Sequence, residues 1–230
     1  MAIKKVSRKK LLKEPDEFIT TTGRVIQYLR ENQRQLTIYG VIAAVVIAAG
    51  FLGYSYFRWQ EGKAEAIQQQ AMQMYQEAYS QTGNLEKEKE NYKKALEKFK
   101  EALTVYGRGT TGQISQLYIG NSHYAMREYD AAIQDYSQCL DGPFRTLAFQ
   151  SLGYAYEAKG DYAKALENFQ KNAEGDPNPE QEESLLGVAR CYEALKQNPK
   201  ALETYQKALN KNPKSKMAEF IQWKVSELKG

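Results

Sequence analysis

Few residues in this sequence have the types and spacing that chemistry requires, and the first candidate is a glycine-rich segment. Gly107, Gly109 and Gly112 match the spacing G-x-G-x-x-G, which holds phosphate groups when a strand precedes it and a helix follows. Here residues 95–106 have the periodicity of a helix and show no strand alternation. The sequence therefore predicts a connection between two helices at this segment, not a nucleotide site.

Histidine and cysteine could bind a metal or act as nucleophiles, but both are scarce. His123 is the only histidine, and Cys139 and Cys191 are the only cysteines. Their spacing is not that of a zinc site, and no Ser-His-Asp arrangement can be discerned. We therefore predict that the chain is not an enzyme and uses no metal, cofactor or small-molecule substrate. Both cysteines fall in helical patterns, where they would pack as small apolar residues, and a disulfide is the alternative in an oxidising compartment.

The elements that would position binding residues are indicated by an internal repetition. The pattern of residues around Gly153 recurs 36 residues later, around Ala189. The same pattern also occurs 33 residues before Gly153, around Gly120. The same two offsets relate further positions, which are Ala132, Ala165 and Ala201, and the aromatic residues Tyr136, Phe169 and Tyr205. A partial first unit has Tyr92, Ala95, Phe99 and Ala102 in the corresponding second-helix positions.

These units resemble the tetratricopeptide repeat, a helix–turn–helix of about 34 residues. The small residues let two helices approach closely, the aromatic residues fill the space between pairs, and Pro177 and Pro213 end the second helix. The sequence thus predicts an all-α protein with an α-solenoid of about four helix pairs. A C-terminal capping helix should follow, with a polar outer face. Its apolar positions are Met217, Ile221, Val225 and Leu228.

A long apolar segment precedes the repeats. Residues 36–57 are 22 residues without a charged side chain. As a helix they would measure about 33 Å, enough to cross a hydrocarbon core of about 30 Å. The segment is longer than the apolar region of a cleaved signal peptide, and a buried core helix is the other alternative. We predict a single transmembrane helix, in which the small residues Gly40, Ala44 and Ala48 form a packing face. An amphipathic first helix over residues 64–78 follows it.

The charges on either side of this segment predict its orientation. Residues 1–35 contain nine Lys and Arg residues, whereas residues 58–77 contain only Arg58 and Lys63. Basic residues remain on the cytoplasmic side of a membrane. We therefore predict a basic cytoplasmic tail over 1–35, a span over 36–57 and an extracytoplasmic repeat domain over 58–230. Nucleic-acid binding by the basic tail is the alternative, but orientation explains the charges more simply.

The first helix of each pair should line a concave face that could bind a protein segment. Carboxylate clamps of other such repeats use Lys and Asn, and only Asn121 fits that pattern, because Ser151, Glu183 and Gly187 occupy the later positions. Tyrosines favour a protein partner instead, since aromatic side chains anchor interfaces. The predicted groove residues are Leu117, Tyr118, Asn121, Tyr124, Gln150, Tyr154 and Arg190, with Glu157 and Glu193 on the same face.

The layout as a whole resembles the bacterial family of ancillary SecYEG translocon subunits. The local resemblance consists of Tyr28-Leu29-Arg30-Glu31-Asn32 before the span, the aromatic segment 53–57 at its exit, and residues 60–78 after it. This resemblance implies a bacterial inner-membrane protein with a periplasmic repeat domain. Its partners would be translocon subunits, envelope chaperones or exported clients. An assembly factor for a secretion or cytochrome-maturation machine has the same architecture and is the alternative.

Overall fold

The computed structural model describes residues 17–80, 85–175 and 178–230, and for residues 17–21 it describes the backbone alone. All regular elements in these ranges are helices, as the sequence predicted. The basic run up to residue 16 and the predicted helix end at Pro177 lie outside the described residues.

Ten helices make up the described ranges. Their bounds are α1 Glu17–Glu31, α2 Gln33–Ser80, α3 Leu85–Val105, α4 Gly109–Ala125, α5 Tyr129–Ser137, α6 Arg145–Lys159, α7 Tyr162–Ala173, α8 Gln181–Ala194, α9 Asn198–Lys211 and α10 Ala218–Lys229. The chain divides into two compact units, and the boundary between Arg58 and Trp59 falls inside α2.

The first unit contains the apolar segment. Helix α2 is 48 residues long, and its apolar part is long and apolar enough to cross a membrane. No residue from 36 to 57 is buried. The predicted span is therefore one continuous stretch of helix with apolar side chains on all sides, which excludes the alternative of a buried core helix within the described chain.

The second unit is a stack of helix pairs. The last part of α2 packs on α3, since Ala71 and Ala78 share a core cluster with Tyr92 and Ala95. The next pairs are α4 with α5, α6 with α7, and α8 with α9. Each helix from α4 to α10 contacts its neighbours along the chain. Ala64, Ala71 and Ala78 of α2 are fully buried, as expected for the predicted amphipathic helix. The α-solenoid of about four pairs is confirmed.

Glycine and aromatic side chains set the distance between the helices of a pair. A Cβ atom on Gly120 would lie 2.6 Å from the Tyr136 ring, and one on Gly153 would lie 2.5 Å from the Phe169 ring. On its other side, the Phe169 ring faces Gly187, where a Cβ atom would lie 2.8 Å away. We call this arrangement of Phe169 between Gly153 and Gly187 the glycine clamp.

The turns inside the last three pairs share one backbone conformation. Arg127, Gly160 and Lys196 are related by the repeat offsets and have φ angles of 64°, 80° and 58°. In each case the amide of the following residue donates to a carbonyl five residues earlier, for example from Glu128 to His123 at 2.8 Å. This is the Schellman helix end, which normally has glycine at the left-handed position.

The C-terminal helix is only in part the predicted cap. Ile221 of α10 is fully buried, and Val225 and Leu228 pack on the same core. Met217, predicted on the apolar face, is 38% exposed because it lies at the N-cap position of the helix. The outer face is not purely polar either, since Phe220 and Trp223 are exposed on it.

Candidate protein-binding face

Charged side chains of the later repeats, most of them predicted groove residues, form an ion-pair ladder across successive first helices. Arg190 of α8 donates from Nε and Nη2 to the two carboxylate oxygens of Glu157 in α6, at 2.8 and 2.9 Å. A second carboxylate, Glu183, lies 3.8 Å from Nη1. Burial opposes the charged form of Arg190, but the bonds to Glu157 outweigh it and raise the pKa. The guanidinium therefore stays charged.

The same contact recurs one repeat later. Lys224 of α10 donates to Glu193 at 2.9 Å, and the hydroxyl of Tyr205 donates to the other oxygen of that carboxylate at 2.6 Å. Glu193 lies 36 residues after Glu157, which is the repeat offset. Lys224 lies 34 residues after Arg190, which is close to that offset. Each carboxylate thus pairs with a cation of the next first helix.

Tyr154 fills the space beside this ladder. Its hydroxyl donates to Glu183 at 2.6 Å, and its ring meets Phe169 edge to face at 5.2 Å between centroids. The Arg190 guanidinium lies 5.6 Å from the centre of the Tyr154 ring. Burial raises the pKa of the Tyr154 hydroxyl, as does the bond to Glu183, so the group remains a donor. Tyr154 therefore both packs on the core and contributes to the face.

Tyr124 occupies the position that Glu157 and Glu193 occupy in later repeats. Its ring is half-buried and lies 5.5 Å from the Tyr129 ring. Burial is the main cause that raises the pKa of its hydroxyl, and Glu157 and Arg190 both act on it electrostatically. The charges of the ladder thus act on the Tyr124 hydroxyl, and the residue is only partly buried.

Other predicted groove residues have structural roles. Leu117 is 3% exposed and Gln150 9% exposed, because their helix positions turn them into the stack. Tyr118 stacks on Phe99 at 5.2 Å and meets Tyr75 edge to face, so its ring joins the first two pairs. Asn121 accepts a hydrogen bond from the Tyr136 hydroxyl at 2.8 Å.

We define the binding face as the partly exposed set at this ladder, which comprises Tyr124, Tyr154, Glu157, Glu183, Arg190, Glu193 and Lys224. Sequence reasoning missed Lys224. The repeat spacing could have indicated Lys224, because it follows Arg190 at an offset close to one repeat.

The other chemical candidates have packing roles in the structure. Residues 106–108 connect α3, which ends at Val105, to α4, which begins at Gly109, so the glycine-rich segment joins two helices as predicted. The Nδ1 atom of His123 lies 2.6 Å from Glu128. Among the described residues, no three side chains are placed to hold a metal ion. Cys139 and Cys191 are fully buried free thiols in different core clusters.

Comparison with protein families identifies the repeat. The family described as a tetratricopeptide repeat-like domain matches residues 27–230. The chain belongs to this family. Comparison with curated proteins gives no match.

Solved structures are similar to this tetratricopeptide-like chain in fold. Nearly identical TPR-like repeats from Podosopora anserina superpose with a TM-score of 0.57 at 15% identity, over 73% of this chain and 85% of theirs. A tetratricopeptide repeat protein from Parabacteroides merdae gives 0.53 at 20% identity, over 70% of this chain and 61% of its own. Folds of this repeat type typically act as protein-binding scaffolds, and no catalytic family is indicated.

Proposed function

We propose that this chain is a membrane-anchored scaffold that binds polypeptide segments on the binding face. The observation that supports this proposal is the ion-pair ladder. Tyr154, Glu157 and Arg190 come from successive first helices, are fixed by contacts with one another, and remain partly exposed. Side chains that are already ordered lose little entropy when a partner binds. A stack of repeats is also the architecture that presents such side chains in line.

The charges of the face favour a partner of particular chemistry. Arg190 is neutralised by Glu157. Glu183 accepts the hydrogen bond from Tyr154 but lies 3.8 Å from the guanidinium, and 43% of its side chain is exposed. Tyr124 offers part of an aromatic ring nearby. The proposed ligand is an extended segment with a basic residue for Glu183 and an apolar side chain for Tyr124.

Anchoring of the scaffold is proposed through residues 36–57. An exposed apolar surface of this length is unfavourable in water and favourable in lipid. With the basic tail in the cytoplasm, the repeat domain would lie outside the cytoplasm, in the periplasm of a bacterium. The layout resembles ancillary SecYEG subunits, which supports translocon subunits, envelope chaperones or exported clients as partners.

Site-specific crosslinking tests the binding face. A photoreactive residue at Tyr124 should crosslink to a client in intact cells, whereas the same residue at Lys207, exposed on the second helix α9, should not. Tyr124→Ala should weaken client binding by about 1–4 kcal/mol, the range for interface anchors. Equal crosslinking at both positions would remove the binding face from the proposal.

Topology and partners are tested separately. A reporter that is active only outside the cytoplasm, fused after Gly230, should give signal, and signal from a cytoplasm-only reporter would reverse the orientation.

Co-purification in mild detergent distinguishes the partner classes. Translocon subunits would support the proposed role, and a dedicated secretion or cytochrome-maturation machine would support the alternative. Gly40→Leu with Ala44→Leu should weaken a partnership made by the span while the repeats stay folded.

A further inference from the structure

The junction between α1 and α2 forms an open groove outside the repeats. Helix α1 ends at Glu31 and α2 begins at Gln33, and the side-chain amide of Asn32 between them donates to the carbonyl of Tyr28 at 2.9 Å. The groove has a volume of about 840 Å³, which lies within the range of about 300–1,000 Å³ that is typical of small-molecule sites. Its lining includes Arg30 of α1 and Arg34, Ile38, Val41 and Ile42 of α2.

The groove is charged at one end and apolar at the other. Arg34 begins the side of α2 that faces the groove, and Ile38, Val41 and Ile42 continue it at helical intervals. These three apolar side chains are each about half exposed. Arg30 lies at the charged end, on the last turn of α1. An anionic phospholipid has the same division, with a charged phosphate above an apolar acyl chain.

The two guanidiniums at the charged end have no counter-charge in this part of the chain. Among the described residues, no ion pair involves Arg30 or Arg34. Glu31 is the one acid among the described residues that line the groove, and its carboxylate accepts a hydrogen bond from Gln27 at 2.9 Å. Like charges repel one another at this spacing. A phosphate group between the guanidiniums would offset that repulsion, and its oxygens would accept charge-assisted hydrogen bonds from both.

Helix α1 has the pattern of a helix that lies in a membrane interface. Val25, Ile26 and Leu29 share one side of this helix, and each is about half exposed. Arg24 and Gln27 lie on the opposite side. Helices of this kind place their apolar side at the boundary between headgroups and acyl chains. This position would hold the charged end of the groove at the level of the lipid phosphates.

We infer that this groove binds an anionic phospholipid of the cytoplasmic leaflet. The phosphate lies between Arg30 and Arg34, and an acyl chain runs along the apolar end of the groove. Arg34 precedes the uncharged segment 36–57 by two residues, which is about 3 Å of helix and therefore headgroup depth. A transmembrane helix of another protein would need an acid at this depth, whereas the cytoplasmic leaflet itself supplies anionic lipids. The inference rests on the anchoring and orientation proposed for residues 36–57.

Lipid competition tests the groove in the full-length chain. Native mass spectrometry of the chain in mild detergent, with equimolar phosphatidylglycerol and phosphatidylcholine, should show preferential retention of phosphatidylglycerol. Arg30→Gln combined with Arg34→Gln should lower this preference by about tenfold, because both groups that face the phosphate are lost. Both arginines are exposed, so the fold should not change. Arg24→Gln combined with Lys63→Gln is the matched control. It removes two positive charges outside the groove and should leave the preference unchanged.

Further outcomes separate a lipid site from other occupants and from the anchor. Equal losses in the two double variants would indicate diffuse attraction and overturn the inference, as would displacement of the lipid by inorganic phosphate at the same concentration. A photoreactive residue at Ile38 should crosslink to phospholipid in intact cells, and crosslinking to a polypeptide alone would contradict the lipid site. Flotation of the reconstituted chain with vesicles of phosphatidylcholine alone tests the anchor. A chain that floats but retains both lipids equally would refute the groove and leave the anchor intact.

Discussion

Glycine determines how close the aromatic side chains of the solenoid can pack. The Phe169 ring is fully buried in the glycine clamp and has no space to withdraw from an added methyl group. Gly153→Ala should therefore destabilise the repeat domain by about 1–3 kcal/mol, despite the better helix propensity of alanine. Gly62→Ala is the matched control, because nothing lies within 4 Å of its Cβ position, and it should stabilise by up to about 1 kcal/mol. Urea unfolding of the full chain measures both, and equal effects would contradict the clamp.

Of the turns inside the last three helix pairs, two have a side chain where glycine is preferred. Arg127 and Lys196 adopt left-handed conformations at the position where the third pair has Gly160. Arg127→Gly and Lys196→Gly should each stabilise the domain by about 1 kcal/mol, because glycine has no Cβ clash at positive φ. Gly160→Ala should destabilise it by a similar amount. A loss of stability in either glycine variant would contradict the shared turn conformation.

The ladder makes first helices of neighbouring pairs depend on one another. A double-mutant cycle with Glu157→Ala and Arg190→Ala should give a coupling of about 1–3 kcal/mol, because the pair is bidentate and partly shielded from solvent. The exposed pair Glu167 and Lys171 within α7 is the control, with an expected coupling of about 0.3–0.5 kcal/mol. Similar couplings for both pairs would show that the ladder does not join the repeats.

Whole helices could be predicted from the sequence because each pair repeats the same steric requirement. Gly153 needs an aromatic partner at Phe169, and both recur at fixed offsets. The turns could not be predicted equally well, since nothing in Arg127 or Lys196 indicates a left-handed backbone.

The candidate site was predicted in part. Leu117 was placed in the groove because the sequence gives the helix periodicity but not the tilt of each helix in the stack. Lys224 was missed because Trp223 occupies the small-residue position that would have marked a further first helix.

The stack as a whole should lose stability in alkaline solution. Burial raises the pKa of Cys139 to about 11 and that of Cys191 to about 12, and it also raises the pKa of the Tyr136 hydroxyl. In the unfolded chain these groups release protons first, near pH 8.5 for cysteine and pH 10 for tyrosine. Stability is therefore fully present below about pH 8.5 and is lost as the pH rises, by about 1–2 kcal/mol for each thiol at pH 10. Urea midpoints from pH 7 to 10.5 measure the loss. Replacing both cysteines with alanine should flatten the curve, and an unchanged slope would exclude the thiols as its cause.

The spacing inside the pairs constrains how the gene for this chain can change in length. Twelve positions separate the small residues of the two helices in each of the last three pairs, from 120 to 132, from 153 to 165 and from 189 to 201. The larger offset between the third and fourth pairs arises in α7, which has 12 residues where α5 has 9, whereas the connection after each of these helices has the same length. Inserted codons should be tolerated in the connection after α7, over residues 174–180. A single codon added between Gly160 and Tyr162 would instead rotate α7 by about 100° and turn Phe169 out of the glycine clamp.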